Sequence, residues 1–216
     1  VKKVIVYVEG PSDRLAMEEL LADLLVRLQI AGVAVEFIPT EGKKRLLLRT
    51  PTKAVNILRN DPHAVVIALP DLYPPNIAFK HTTFDELVQA LREEFARVLA
   101  HKKVDDARLR ERFHVYCLKY DLEALILAAE NGLASRLGIS SVTPIWIKPV
   151  EDQDHQNPPK RIVEQVFEAH GDRYQDTIDA PLILGAARYP DIAAACPQCF
   201  KPFVDHLEAL LDGETQ

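Results

Sequence analysis

Glu9 and Asp71 are the residues of this 216-residue chain whose setting points to chemistry. Each follows a continuous apolar run, Val4–Val8 (VIVYV) before Glu9 and Ala64–Leu69 (AVVIAL) before Asp71. Each is followed by turn-forming residues, Gly10-Pro11 in one case and Pro74-Pro75 in the other. A Glu and an Asp at the ends of adjacent parallel strands can share one hard divalent cation. Mg²⁺ takes oxygen ligands, keeps several waters, and needs only one or two protein carboxylates plus a phosphate. Such an ion neutralises a phosphodiester and activates water. Asp13, Asp121 and Glu123 are candidates to complete the site. The plainer alternative makes Glu9 a solvated residue of a βα loop, and Asp121 and Glu123 acidic residues at a helix start, favoured there by the macrodipole.

The elements that must position these groups follow from patterning. Val4–Val8 is β-branched and aromatic without alternation, as in a strand covered on both faces of a parallel sheet. Gly10 and Pro11 end it, Ser12 and Asp13 are good helix N-caps, and residues 14–29 read as a helix with Leu15, Leu20, Leu21, Leu24, Leu25 and Leu28 on one broad face. Glu9 thus sits at the edge of the sheet where open α/β folds bind ligands. Val33–Ile38 reads as a second strand. Lys43, Lys44, Arg45 and Arg49 concentrate positive charge, either as a solvated loop and helix face or as phosphate contacts, before a helix over residues 51–59. Ala64–Leu69 repeats the logic of the first strand, followed by a helix over residues 84–99 and strand candidates at 113–118 and 144–147. KYDLEALILAAE, carrying Asp121 and Glu123, reads as a helix.

Residues 151–160 (EDQDHQNPPK) are the best candidate for a mobile or binding loop. From about 160 to 216 the pattern is mainly helical, with turn signals at Gly171, Gly185 and Pro190. The expectation is one α/β domain over residues 1–216: a mostly parallel sheet, helices on both faces, and a helical C-terminal third packed on it.

Hydrophobic content of 48% is enough to bury a core, and a net charge of −6 argues against a protein that coats nucleic acid unaided. Cys117, Cys196 and Cys199 make no disulfide framework and fit a reducing cytoplasm. The chain opens on a strand rather than a signal peptide, and no apolar run reaches the ~20 residues that span a bilayer, so no membrane is expected. Cys196-Pro197-Gln198-Cys199 is a lone CxxC, which predicts free thiols and no zinc. A Walker loop, GxGxxG, HExxH and a nucleophile elbow are all missing from the sequence.

VEGPSD at a strand-to-helix turn resembles the first motif of Toprim domains, the metal-binding catalytic fold of topoisomerases, bacterial primases and some nucleases. Their second motif is DxD. Here Asp71-Leu72-Tyr73 replaces it, so the second Asp is missing. The chain more closely resembles a Toprim-like bacterial family, domain of unknown function 4276. The resemblance rests on VEGPSD, DLYPP, YDLEALIL, PPKRI at Pro158–Ile162 and ACPQCFKPFVDHLEAL at Ala195–Leu210, in family order across nearly the whole chain.

The resemblance implies Mg²⁺- or Mn²⁺-dependent phosphodiester chemistry on nucleic acid, with relatives among overcoming-lysogenisation nucleases and phage-defence systems. Glu9 and Asp71 would hold the metal, and Asp13 and Glu123 would be outer or second-metal ligands. Lys160 and Arg161 would contact phosphate, with Lys160 stabilising developing negative charge. The acidic balance implies a partner, such as an ATPase, that delivers the substrate. The rival expectation is a non-catalytic Toprim-fold binding or assembly module, which the missing second Asp favours.

Overall fold

The computed structural model describes residues 1–76, 79, 81–104 and 106–211. In chain order the elements are β1 (Lys2–Val8), α1 (Pro11–Leu20), α2 (Ala22–Ile30), β2 (Val33–Pro39), α3 (Lys43–Asn60), β3 (Val65–Ala68), α4 (Phe84–His101), α5 (Arg108–Glu111) and β4 (Phe113–Val115). There follow α6 (Glu123–Ala128), α7 (Glu130–Leu137), a 3₁₀ turn at Val150–Asp152, α8 (Pro159–Ala169), α9 (Asp176–Gly185), α10 (Tyr189–Ala195) and α11 (Phe200–Ala209). Among the described residues no helix is long and apolar enough to cross a membrane.

The four strands form one parallel sheet in the order β2-β1-β3-β4. Val4 lies opposite Val65 and Tyr7 opposite Ala68, so the two apolar runs are neighbours that end on the same edge, as expected. Their lack of alternation has a simple cause. Val4, Val6, Val8, Val65 and Ile67 pack on one face with Met17, Leu24, Leu125, Phe167 and Phe203. Ile5, Tyr7, Val66 and Ala68 pack on the other with Leu47, Val55, Leu91 and Phe95 of α3 and α4. Each Val, Leu, Ile, Phe or Met among them, fully buried, contributes ~1.5–3 kcal/mol of transfer free energy. The C-terminal helices α8–α11 share the first of these cores through Phe167, Ile183, Ile192 and Phe200. The expected helical extension beyond residue 211 lies outside the described residues.

Several local expectations are corrected. The helix expected over 14–29 is two helices, parted where Leu21 leaves helical geometry (φ −96°, ψ 9°). Leu15 is exposed, because it lies about 200° around the helix from the buried Met17. Ser12 and Asp13 are not N-caps. Gly10 takes that place, Pro11 follows at the first helical position, and Asp13 reaches back from the first turn to accept the Gly10 N–H at 2.7 Å.

The helix expected from Pro51 begins at Lys43 and runs through the proline. Leu46, Leu47, Ala54, Val55 and Leu58 recur at helical spacing and are fully buried, and that burial outweighs the ~3 kcal/mol cost of an internal Pro. Pro144–Ile147 is not a strand. The Ile147 N–H and carbonyl bond the amide of Gln153 instead of a neighbouring strand, and only Trp146 of this run turns inward.

Candidate functional site

β1 and β3 are adjacent, but the chain leaves them for opposite faces. α1, after β1, packs in one core, and α4, after β3, packs in the other. This is the switch point of an open parallel sheet, where diverging connections leave a crevice at the carboxyl ends of the strands. A cleft of about 420 Å³ occupies it. Glu9, Asp13, Asp71, Asp121, Glu123 and Lys160 all line this cleft, although they are spread over more than 150 positions of sequence.

The backbone fixes the two central residues against each other. Glu9 Oε1 accepts the Asp71 N–H at 2.9 Å, and the Glu9 carbonyl accepts the Gly42 N–H at 2.7 Å. Gly42 has φ +105°, a conformation that L side chains rarely adopt. It turns β2 into α3 and thereby delivers Lys43. The Asp71 strand end is held to the segment that follows β4 through Leu72 N–H to Leu118 O at 2.6 Å.

Charge in the cleft is unbalanced. Burial pushes the Glu9 carboxyl up to about 7, and the Asp13 charge adds to this, while the Asp71 N–H and the Lys43 ammonium oppose it. Burial raises Asp13 to about 6, and the neighbouring Glu123 and Asp176 charges work in the same direction. Asp71 is raised well above the usual carboxylate range by burial and by Glu9, Asp13 and Asp121. Asp121 is pushed up to about 8 by burial and the Glu123 charge, and one of its oxygens is buried with no hydrogen-bond partner. Glu123, 3% exposed, is raised by burial despite Lys160 nearby. Lys160 Nζ stands 3.6 Å from Glu123 and 3.7 Å from Asp176. Burial works against its ammonium, but Glu123, Asp176 and Asp121 outweigh that and raise its pKa.

Arg161 is not brought to the cleft. It is exposed, and its guanidinium donates to the Gln156 carbonyl at 3.2 Å. Two residues join the site that the sequence reading did not place there. Lys43 donates to the Leu72 and Pro74 carbonyls at 3.1 and 2.5 Å, and burial lowers its pKa although Glu9 and Asp71 lie close. Asp176, in the first turn of α9, arrives only through tertiary packing. The basic run at 43–49 was a signal for the first of these, and nothing in the local sequence marks the second.

Tyr73, where a second Asp would stand in a DxD motif, donates its hydroxyl to the Thr82 carbonyl at 2.6 Å. The CxxC pair serves packing. Cys196 and Cys199 are free and buried, as is Cys117, whose thiol bonds that of Cys199. The buried Glu151 carboxylate accepts the backbone N–H groups of Gln198, Cys199 and Phe200 and so caps α11. The start of the 151–160 stretch is therefore anchored rather than free.

The donor set fits a hard cation. The candidate groups are carboxylates, and five of them are held at elevated pKa with only Lys43 and Lys160 to offset their charge. Among the described residues no three His, Cys, Asp or Glu side chains stand close enough together to hold a metal ion as they are arranged here. Any ion in the cleft would take only one or two protein carboxylates and complete its shell with water, as Mg²⁺ can.

Fold and site together define an open parallel α/β protein with an acidic crevice at its switch point. The chain belongs to the family described as Domain of unknown function (DUF4276), whose model matches residues 8–208. Its fold is similar to that of the C-terminal region of the Burkholderia pseudomallei OLD protein, at 16% identity and a TM-score of 0.50, covering 98% of this chain and 99% of that one. The C-terminal region of the Xanthomonas campestris pv. campestris OLD protein also matches, at 17% identity and a TM-score of 0.47, covering 98% and 97%. No curated protein matches the chain.

Proposed function

We propose that this chain is a Toprim-like, metal-dependent phosphodiester-cleaving enzyme acting on nucleic acid. The observation that carries the reading is the surplus of carboxylates in one crevice, Glu123 buried and the other four half-buried. Glu9, Asp13, Asp71, Asp121 and Glu123 all bind protons more tightly than ordinary carboxylates, against the two ammonium groups of Lys43 and Lys160. Such a set loses free energy when ionised and empty, and regains it when a divalent cation enters.

Glu9 and Asp71 would hold Mg²⁺ or Mn²⁺, with Asp13 and Asp121 beside them. When bound, the ion would supply charge neutralisation at a phosphodiester and a water of lowered pKa. Lys160 would be held by Glu123 and Asp176 toward the place where negative charge develops. Lys43, with its lowered pKa, would contact a non-bridging phosphate oxygen. Residues 1–216 would form one domain, since α8–α11 bury their apolar faces on the same core as β1, and the three free thiols fit a cytoplasmic setting. A role in phage defence rests on the family resemblance alone, and a partner such as an ATPase rests on the net charge of −6.

A second reading, a non-catalytic binding or assembly module, is favoured by Tyr73. It fills the place of the second Asp and is tied into the structure through Thr82. Asp121 weighs against this reading, because it stands close enough to Asp71 to raise it and can supply the missing carboxylate. The test is cleavage of single- and double-stranded DNA and RNA with Mn²⁺ or Mg²⁺, using wild type and Glu9→Gln. The enzyme reading expects metal-dependent cleavage that Glu9→Gln abolishes. Cleavage by neither protein under any condition would favour the module.

A further inference from the structure

An aromatic cluster stands at the wall of the acidic cleft and takes no part in the chemistry above. Tyr73 lines the cleft with Glu9, Asp71 and Lys160, and its ring is half-buried. His155 lies edge-on to it, with ring centroids 4.6 Å apart and planes at 84°. Tyr120 packs against both, at 5.5 Å from Tyr73 and 5.4 Å from His155. His155 is exposed and belongs to the polar stretch 151–160.

The rings are held in place from behind. The Tyr73 hydroxyl bonds the Thr82 carbonyl, and its N–H donates to Lys119 O at 3.1 Å. The buried Tyr120 donates its hydroxyl to the Gln153 carbonyl, and the Gln153 amide in turn donates to Ile147 O at 2.8 Å and Val150 O at 3.1 Å. The root of the loop is thus fixed, and the imidazole is carried over the tyrosine. An aromatic surface held rigidly at low entropic cost beside an acidic crevice suits a ligand with both a flat π-face and a charged phosphate.

We propose that Tyr73 and His155, whose rings stand nearly perpendicular, form an aromatic corner in which an unpaired base of a single-stranded nucleic acid stacks on the tyrosine with its edge against the imidazole, its phosphodiester lying over the acidic cleft. This rests on the reading of the cleft as a nucleic-acid site and names its substrate class. A base inside a duplex has both faces covered by its neighbours, so a protein ring reaches a base only where the strand is single or frayed. The cleft offers only Lys43 and Lys160 as cations among the described residues that line or reach it. Phosphate attraction alone therefore gives little affinity, and stacking supplies the rest. Stacking tolerates any sequence, since every base has a π-face.

The test is fluorescence anisotropy with labelled oligothymidylate and oligouridylate, abasic strands of equal length, and a duplex of equal length, in Ca²⁺ buffer. The proteins are wild type, Tyr73→Leu, Tyr73→Phe and His155→Ala. Wild type should bind a base-bearing single strand about tenfold more tightly than the abasic strand, the order of one base-stacking contact, and should discriminate similarly against the duplex. Tyr73→Leu should remove that preference while leaving abasic binding unchanged, Tyr73→Phe should restore it, and His155→Ala should weaken it severalfold. His155 is on the surface, so that variant reports even if Tyr73→Leu folds poorly. Equal binding of base-bearing and abasic strands by wild type, or a preference untouched by both Tyr73→Leu and His155→Ala, overturns the aromatic corner. Metal-dependent cleavage lost in Glu9→Gln would then leave the cleft reading standing. A base preference in wild type with no cleavage at all would keep the aromatic corner and sink the nuclease.

Discussion

Glu9→Gln should stabilise the metal-free protein at alkaline pH, although it removes a residue of the candidate site. The Glu9 carboxyl rises from an ordinary 4.5 to about 7, first through burial and then through the Asp13 charge. The folded state therefore holds a proton that the unfolded state has already released between those two values. Stability falls as pH rises through this window, and the whole penalty is present above pH 7. The difference corresponds to at most roughly 3 kcal/mol. The cleft is open to water, which screens these interactions, so about 2 kcal/mol is the working figure. Glutamine keeps the size of the side chain and an oxygen that can accept the Asp71 N–H. In metal-free buffer at pH 8 the variant should melt roughly 4–8 °C above wild type, and near pH 4.5 the two should coincide. Thermal melts across pH 4.5–8 read this directly. A variant no more stable than wild type at pH 8, or a gap that does not change with pH, would refute the reasoning. Added Mn²⁺ should close the gap by stabilising wild type alone.

Two further predictions concern the scaffold. Glu151→Ala strips the cap from α11 and leaves the Gln198, Cys199 and Phe200 N–H groups without their buried acceptor. It should cost about 2–4 kcal/mol in urea unfolding, where a change below ~0.5 kcal/mol would show that water replaces the carboxylate. Gly132→Ala would set a methyl 2.4 Å from the Ile183 carbonyl oxygen, where α7 and α9 approach backbone to backbone. It should destabilise by at least ~2 kcal/mol, and a melting temperature equal to wild type would contradict that contact.

The strand-end carboxylates were legible because their signal is local. VIVYV and AVVIAL are short, largely β-branched runs bounded by Gly or Pro, which favours strands covered on both faces, and parallel strands put Glu9 and Asp71 on one edge. Lys43 was legible as charge but not as a site residue. Its placement depends on a helix that begins eight residues before Pro51, and the buried stripe from Leu46 to Leu58 decided that against local propensity. Asp176 was not legible at all, since α9 reaches the cleft by packing on α1 and nothing near Asp176 in sequence reports it. Arg161 failed for a related reason. It follows Lys160 directly, and neighbours on a helix point about 100° apart, so only one of the pair could face the cleft. Pro144–Ile147 has strand composition but lacks a partner strand, and the Gln153 side chain meets its backbone instead.

Titration of Mn²⁺ into the protein by calorimetry at neutral pH, with and without an oligonucleotide, tests the central claim most directly. Wild type should bind the ion and release protons, because Glu9 and Asp121, raised to about 7 and 8, still hold protons at that pH and must give them up. Asp71→Asn should bind at least tenfold more weakly, since one of only two principal ligands becomes a neutral amide. Equal binding by wild type and Asp71→Asn, or none by wild type even with the oligonucleotide present, would contradict a metal site between the ends of β1 and β3.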